Sequence, residues 1–252
     1  MDGPTIGLIV IAGLFLSGLG GMVLQAQVPT GSLTADTLAW VRRAVTALIV
    51  LAALAFGYVT LSVKASFEQA ERDVKHLAGE VLELDRTLRR IGPDAAPARQ
   101  LLFRYSNRVM KDVWPERHVR LPVGPLAAGE LREEIRNTID NLPAGSPARA
   151  ANLVEARLHL QNIAATRLSI FENTGSPVSL WLKISLLAWL MIAFGSLGLT
   201  APRSPIVVAS LLLLAIVLGS AAFLMQEYDD PFKGVIVVSS TAMENALFTL
   251  AE

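Results

Sequence analysis

The sequence predicts an all-α integral membrane protein: four transmembrane helices, with a helical cytoplasmic bundle inserted between the second and the third. Three observations carry this. Four apolar runs, 5–25, 44–63, 178–199 and 204–226, contain one charged residue between them, Lys183. Each is about as long as a helix must be to cross a hydrocarbon core of roughly 30 Å. Charged residues concentrate instead at 64–175. The second apolar run also passes without proline into a charged stretch that keeps helical spacing, so residues 44–91 read as one helix of about 70 Å at 1.5 Å per residue. The chain thus divides into 1–63, the insert 64–175, 176–226 and a tail at 227–252.

Composition agrees. Of 252 residues, 52% are hydrophobic and 17% charged, with no formal net charge; the mean hydropathy is +0.47. A neutral balance argues against a nucleic-acid surface. Cysteine is absent, which excludes disulfides, thiol nucleophiles and thiolate metal sites. Only His76, His118 and His159 are present, scattered through the insert. No cofactor or metal is expected.

The first run, 5–25, lacks a basic residue before it and is too long for a signal-peptide core, so it reads as a retained transmembrane helix. Ser17, Gly18, Gly20 and Gly21 let a neighbouring backbone approach closely, or else line a constriction beside a pore. A short polar connection, Gln27 to Arg43, leads to the second run. There Thr46, Ala53, Gly57, Thr60 and Lys64 share one helical stripe of small or polar side chains, which either packs against another helix or lines water.

The insert opens on Phe67, Ala70, Val74, Leu77, Val81, Leu84, Leu88 and Ile91, spaced alternately by three and four residues as in a heptad seam. Acidic side chains flank the seam, so two parallel copies would repel and a basic partner is favoured. The next helix offers one: Asp94 as N-cap, Pro97 in the first turn, then Arg99, Arg104, Arg108 and Lys111, with Leu102, Tyr105, Val109 and Val113 apolar. Trp114-Pro115 ends it, and a loop with Pro122 and Pro125 follows. A short amphipathic helix carries Leu131, Ile135, Ile139 and Leu142. Ser146-Pro147 then opens a helix to about Glu172, with Val154, Leu158, Ala165 and Leu168 on one face. Most basic residues lie in the insert, against Arg42, Arg43 and Arg203 in the other connections. The positive-inside rule therefore places the insert and both termini in the cytoplasm.

Gly175-Ser-Pro177 breaks the chain before the third run. Lys183 in that run is close enough to its end to snorkel. Arg203 marks a tight turn, and Ala215 and Gly219 have packing spacing in the fourth run. The tail begins with Glu227, Asp229 and Asp230, continues through a β-branched run at 235–238, and ends in a helix at 242–250 whose capping box pairs Thr241 with Glu244.

The stretch Asp229-Asp-Pro-Phe-Lys-Gly-Val-Ile-Val-Val-Ser239 resembles the tail of a bacterial membrane-protein family labelled bestrophin-like. Phe56-Gly-Tyr-Val-Thr60, Phe67-Glu-Gln-Ala70, Trp114-Pro115 and Gly175-Ser-Pro177-Val-Ser-Leu-Trp181 fit the same family, so the match spans roughly 51–250; Asp230 and Lys233 depart from it. The resemblance implies a homo-oligomeric ion channel of the bacterial inner membrane, in which an acidic, proline-containing segment after the membrane domain helps gating. Glu227, Asp229 and Asp230 stand in a comparable place.

No HExxH motif occurs, and Lys183 is the one ionisable group in an apolar run, near its edge, so an enzyme is not expected. In an oligomer, Glu227, Asp229 and Asp230 would form acidic rings that attract cations, while Arg42 and Arg43 would favour anions; the balance leans slightly to cations. The expected partners are membrane lipid, further copies of the chain and inorganic ions. The other reading is a non-conducting scaffold or sensor whose insert binds a cytoplasmic partner.

Overall fold

The computed structural model describes residues 3–27, 34–114, 126–172 and 178–251. The expected breaks at Pro115, at Pro122 and Pro125, and at Gly175-Ser-Pro177, together with His118, lie outside the described residues. Within them the chain is helical: α1 (Gly3–Gln27), α2 (Ala35–Ile91), a 3₁₀ turn (Pro93–Ala95), α3 (Ala96–Val113), α4 (Leu126–Asp140), α5 (Pro147–Glu172), α6 (Leu180–Thr200), α7 (Pro205–Asp229) and α8 (Thr241–Ala251). Four of these, α1, α2, α6 and α7, are long and apolar enough to cross a membrane. The chain forms two compact units, Met1–Ser66 with Ser176–Asp230, and Phe67–Gly175 with Pro231–Glu252; α2 contributes to both.

In the first unit α1 packs on α6 and α7 around Val10, Leu14, Met22, Phe194, Leu211 and Ala215. The approach is backbone-close because glycines face each other. A Cβ on Gly21 would stand 1.9 Å from the Gly195 carbonyl oxygen, and one on Gly198 would stand 1.9 Å from that of Gly18. Ser17 Oγ donates to the Met191 carbonyl at 2.6 Å. On the α7 side, a Cβ on Gly219 would meet Ile11 Cγ1 at 2.2 Å. The apolar part of α2 joins this unit through Val59 and Val63, with Phe56, Val178, Met225 and Tyr228.

Helix ends follow local chemistry. α2 begins at Ala35 rather than near Ala44, because Thr34 caps it, its Oγ1 accepting from Thr37 N at 3.3 Å; Arg42 and Arg43 therefore ride on the helix and not on a connection. Ser179 and Ser204 cap α6 and α7. α7 runs on to Asp229, since nothing breaks it before Pro231.

The second unit is built on the seam. Ala70, Val74, Leu77, Val81, Leu84, Leu88 and Ile91 are all buried, among side chains from α3, α4, α5 and α8. The acidic flanks are shared between two partners, not answered by α3 alone. Asp85 accepts from Arg89 Nε and from Arg99 Nε of α3, both at 2.7 Å. Asp73 and Glu80 turn to α5: Ser169 Oγ donates to Asp73 at 2.8 Å, and His159 Nδ1 and Asn162 Nδ2 lie 2.7 and 3.3 Å from Glu80 Oε2. Arg90 of α2 bonds Glu155 at 2.8 Å, so α5 runs antiparallel to α2. Gly92 makes the reversal at φ 110°, ψ −168°, a conformation essentially restricted to glycine.

Three local expectations change. Asp94 does not cap α3; it accepts from Arg149 Nη2 at 2.5 Å, and α3 starts at Ala96 behind Ala95. On α5 the stripe Val154, Leu158 and Leu168 is 63%, 54% and 58% exposed, whereas Leu153, Ala156, Leu160, Ile163 and Ile170 enter the core. The helix carries two apolar stripes, and spacing alone does not rank them. At the tail, residues 235–238 belong to a loop closed by Val238 N donating to Pro231 O at 2.8 Å. That loop is held by Trp114, whose Nε1 donates to Val238 O at 2.8 Å and whose ring meets Phe232 edge-on. Ser240, not Thr241, pairs with Glu244 and precedes α8, one turn before the glutamate.

Asp112 on α3 lies 3.0 Å from Arg108 Nε and 3.9 Å from Arg167 Nη2 of α5. Burial nonetheless lifts its carboxyl above the ordinary range, against the pull of both arginines. The folded state therefore holds this proton more tightly than the unfolded chain, so its contribution to stability falls as pH rises above about 4.

Two outcomes are expected. Gly21→Ala should destabilise the protein by about 1–3 kcal/mol through overpacking, whereas Gly20→Ala, with nothing within 4 Å of the added Cβ, should be nearly neutral in denaturant or thermal unfolding. For Asp112→Asn, stability relative to the parent should increase between pH 4 and pH 7 in the same assay, since the variant lacks the titration.

Candidate functional site

The apolar part of α2 presents three faces. Ala52, Val59 and Val63 are buried inside the first unit. Leu51, Leu54, Tyr58 and Leu61 form a bulky exposed flank. Between them run Thr46, Ala53, Gly57 and Thr60, all exposed, with the exposed Val50 in the same row, roughly 120° from the buried face at 100° per residue. A Cβ added at Gly57 would meet nothing within 4 Å. Thr46 Oγ1 donates to Arg42 O at 2.9 Å and Thr60 Oγ1 to Phe56 O at 2.8 Å. Each hydroxyl proton is thus satisfied by its own helix, while the oxygen still offers lone pairs outward.

The α1 candidates separate. Ser17 and Gly21 face α6, and Gly18 lies against both α6 and Leu211 of α7, where small size serves packing. Gly20 points away from every neighbour. The sequence does not single out their partners Gly195 and Gly198; the Gly195–Gly198 spacing is the signal it offers.

The acidic candidates at the end of α7 are engaged within the chain. Asp229 accepts from Lys183 Nζ of α6 at 2.6 Å, and both side chains are largely buried. Glu227 is 4% exposed, with its carboxylate against the first turn of α1: a Cβ on Gly3 would meet Glu227 Oε1 at 2.0 Å. A carboxylate there complements the positive end of the helix dipole. Asp230 is half-buried at the C-cap. Arg42 and Arg43 are exposed on α2. Among the described residues no group of His, Cys, Asp and Glu is placed to hold a metal ion.

The family model for the Bestrophin-like domain matches residues 12–243. The chain belongs to the Bestrophin-like family. Its fold is similar to a variant of a bacterial bestrophin homologue from Klebsiella pneumoniae, at TM-score 0.71 and 15% identity over 98% of each chain. A second variant of that homologue matches at TM-score 0.67 and 14% identity over 97% of this chain and 99% of the other. A structure described only as a membrane protein matches at TM-score 0.69 and 13% identity over 97% of each chain. No curated protein matches. At these identities the structural likeness speaks for the fold: an all-helical, bestrophin-like membrane protein with several apolar helices.

Within this bestrophin-like fold the Lys183–Asp229 pair joins α6 to the end of α7. Its two residues sit at the ends of apolar runs that are consecutive in sequence, and spacing along the chain alone does not show that the two ends meet. Lys183→Met should destabilise the protein by about 3–5 kcal/mol by removing the cation from the buried Asp229. Lys183→Met with Asp229→Leu should cost clearly less than the two single changes summed, in a double-mutant cycle of unfolding in detergent.

Proposed function

We propose that the chain is the subunit of a homo-oligomeric ion channel of the bacterial inner membrane. In this reading α1, the apolar part of α2, α6 and α7 cross the bilayer. Residues 1–63 and 176–226 form the membrane part, and the insert 64–175, the tail 227–252 and both termini are cytoplasmic. Inorganic ions are cargo, lipid is solvent, and no catalysis or nucleic-acid binding is involved.

The observation that carries the reading is the exposed Thr46, Ala53, Gly57 and Thr60 stripe on α2. Lipid is best met by bulky apolar side chains, and α2 has such a flank beside the stripe. Small and hydroxylated residues suit a neighbouring helix or a water-filled axis. Membership in the Bestrophin-like family adds weight to the axis. A few helices per subunit enclose a pathway only as several copies, and closed rotational symmetry is the usual arrangement.

The lean to cations rests on Glu227, Asp229 and Asp230. Against them stand the exposed Arg42 and Arg43, and Lys183 offsets Asp229.

The second reading, a non-conducting scaffold or sensor, draws on the uncovered Val154, Leu158 and Leu168 stripe of α5. In the channel reading a second copy covers that stripe; in the scaffold reading a cytoplasmic partner does.

The test is purified protein in liposomes under K⁺, Na⁺ and Cl⁻ gradients. Flux with K⁺ and Na⁺ favoured over Cl⁻ is expected. Gly57→Leu, at a position where an added Cβ meets nothing within 4 Å among the described residues, should cut flux severalfold while leaving subunit stability within about 0.5 kcal/mol. Asp230→Asn should weaken the cation preference. Absence of flux from folded oligomer across several pH and Ca²⁺ conditions selects the scaffold.

A further inference from the structure

Between α4 and α5, inside the second unit, lies a pocket of 320 Å³. Three guanidinium groups line it, from Arg132, Arg136 and Arg157, against one carboxylate, Asp140. Its floor includes the buried Ile139 and Leu160. On α4 the basic residues are one turn apart, so Arg132 and Arg136 project from the same face. Arg157 of α5 approaches from the opposite wall.

These arginines are only partly committed. Arg157 Nε donates to Asp140 Oδ1 at 2.7 Å, leaving its terminal nitrogens. Arg136 donates through Nη2 to Glu133 of the same helix. Arg132 has no hydrogen bond or ion pair among the described residues. Its charge and that of Arg167 act on the hydroxyl of Tyr105, which is fully buried and has no hydrogen-bond partner among those residues.

We propose that this pocket binds a phosphate-bearing small molecule, with the phosphate held by Arg132, Arg136 and Arg157 and an apolar portion resting on Ile139 and Leu160. Guanidinium forks match the oxygens of phosphate in bidentate pairs. The volume exceeds what a lone inorganic anion fills and lies at the lower end of the range for small-molecule sites. The apolar floor calls for a ligand with a nonpolar part. Asp140 is the competing anion: it takes one edge of Arg157 and must yield or share. The proposal does not depend on conduction and stands under either reading of the protein's function.

Such a ligand has two sources, a soluble phosphorylated metabolite or the headgroup of a phospholipid. The experiment is calorimetric titration of the full-length protein in detergent with inorganic pyrophosphate, adenosine monophosphate and dihexanoyl phosphatidic acid. Saturable binding of pyrophosphate is expected, with tighter binding by whichever of the other two has the correct source chemistry. Arg132→Gln and Arg136→Gln should each weaken binding about tenfold. Arg104→Gln, an exposed arginine elsewhere on α3, should leave it unchanged. Asp140→Asn should tighten it severalfold, a gain that misfolding cannot produce. No binding of any of the three probes by the parent protein and by Asp140→Asn overturns the proposal, as does binding that Arg132→Gln leaves intact in a variant with parental helical circular dichroism.

Discussion

Burial of one apolar seam governs the second unit. From Ala70 to Ile91, alternate three- and four-residue steps keep seven side chains on one side of α2. Each fully buried Val or Leu among them is worth about 1.5–3 kcal/mol. That row must be covered along its whole length, and α3, α4, α5 and α8 supply the cover. Gly92 lets the chain reverse at the end of the row, so α3 returns alongside instead of extending it. Every other feature of this unit, from the Asp85 bracket to the closure of the tail loop over Trp114, is placed by that seam.

The first unit obeys a different constraint. Its helices are apolar nearly all round, so hydrophobic periodicity does not choose which faces meet. Shape decides instead: Gly18 and Gly21 fit Gly195 and Gly198, and Gly7 with Ile11 fits Gly219. Dispersion attraction at such close approach, with the Ser17–Met191 bond, takes the place that solvent exclusion has in water.

Charge is handled alike in both units. Asp85 sits between Arg89 and Arg99, and Asp229 is held by Lys183. A buried pair of this kind adds little net stability over an apolar contact of the same shape. It does penalise every arrangement that separates its members, and so selects one pairing of helices. The arginines of the α4–α5 pocket contrast with these, since Arg132 is left without a counter-ion among the described residues.

The order of helices, the continuity of α2 and the Bestrophin-like resemblance were legible in the sequence, because length, lack of charge and heptad spacing are properties of neighbouring residues. The Ser146 cap was legible for the same reason: its side chain meets an amide three residues on. What the sequence left open depends on residues far apart in the chain. It could not rank the two stripes of α5, since both have helical spacing and only the positions of α2 and α4 decide which is covered. It assigned Asp94 to a cap, where Arg149 from a later helix claims it. It grouped Glu227, Asp229 and Asp230 as one acidic cluster, whereas Lys183 and the start of α1 divide them. Local periodicity determines that a segment is a helix; which face it buries, and which charge it neutralises, is decided only when distant segments compete for the same surface.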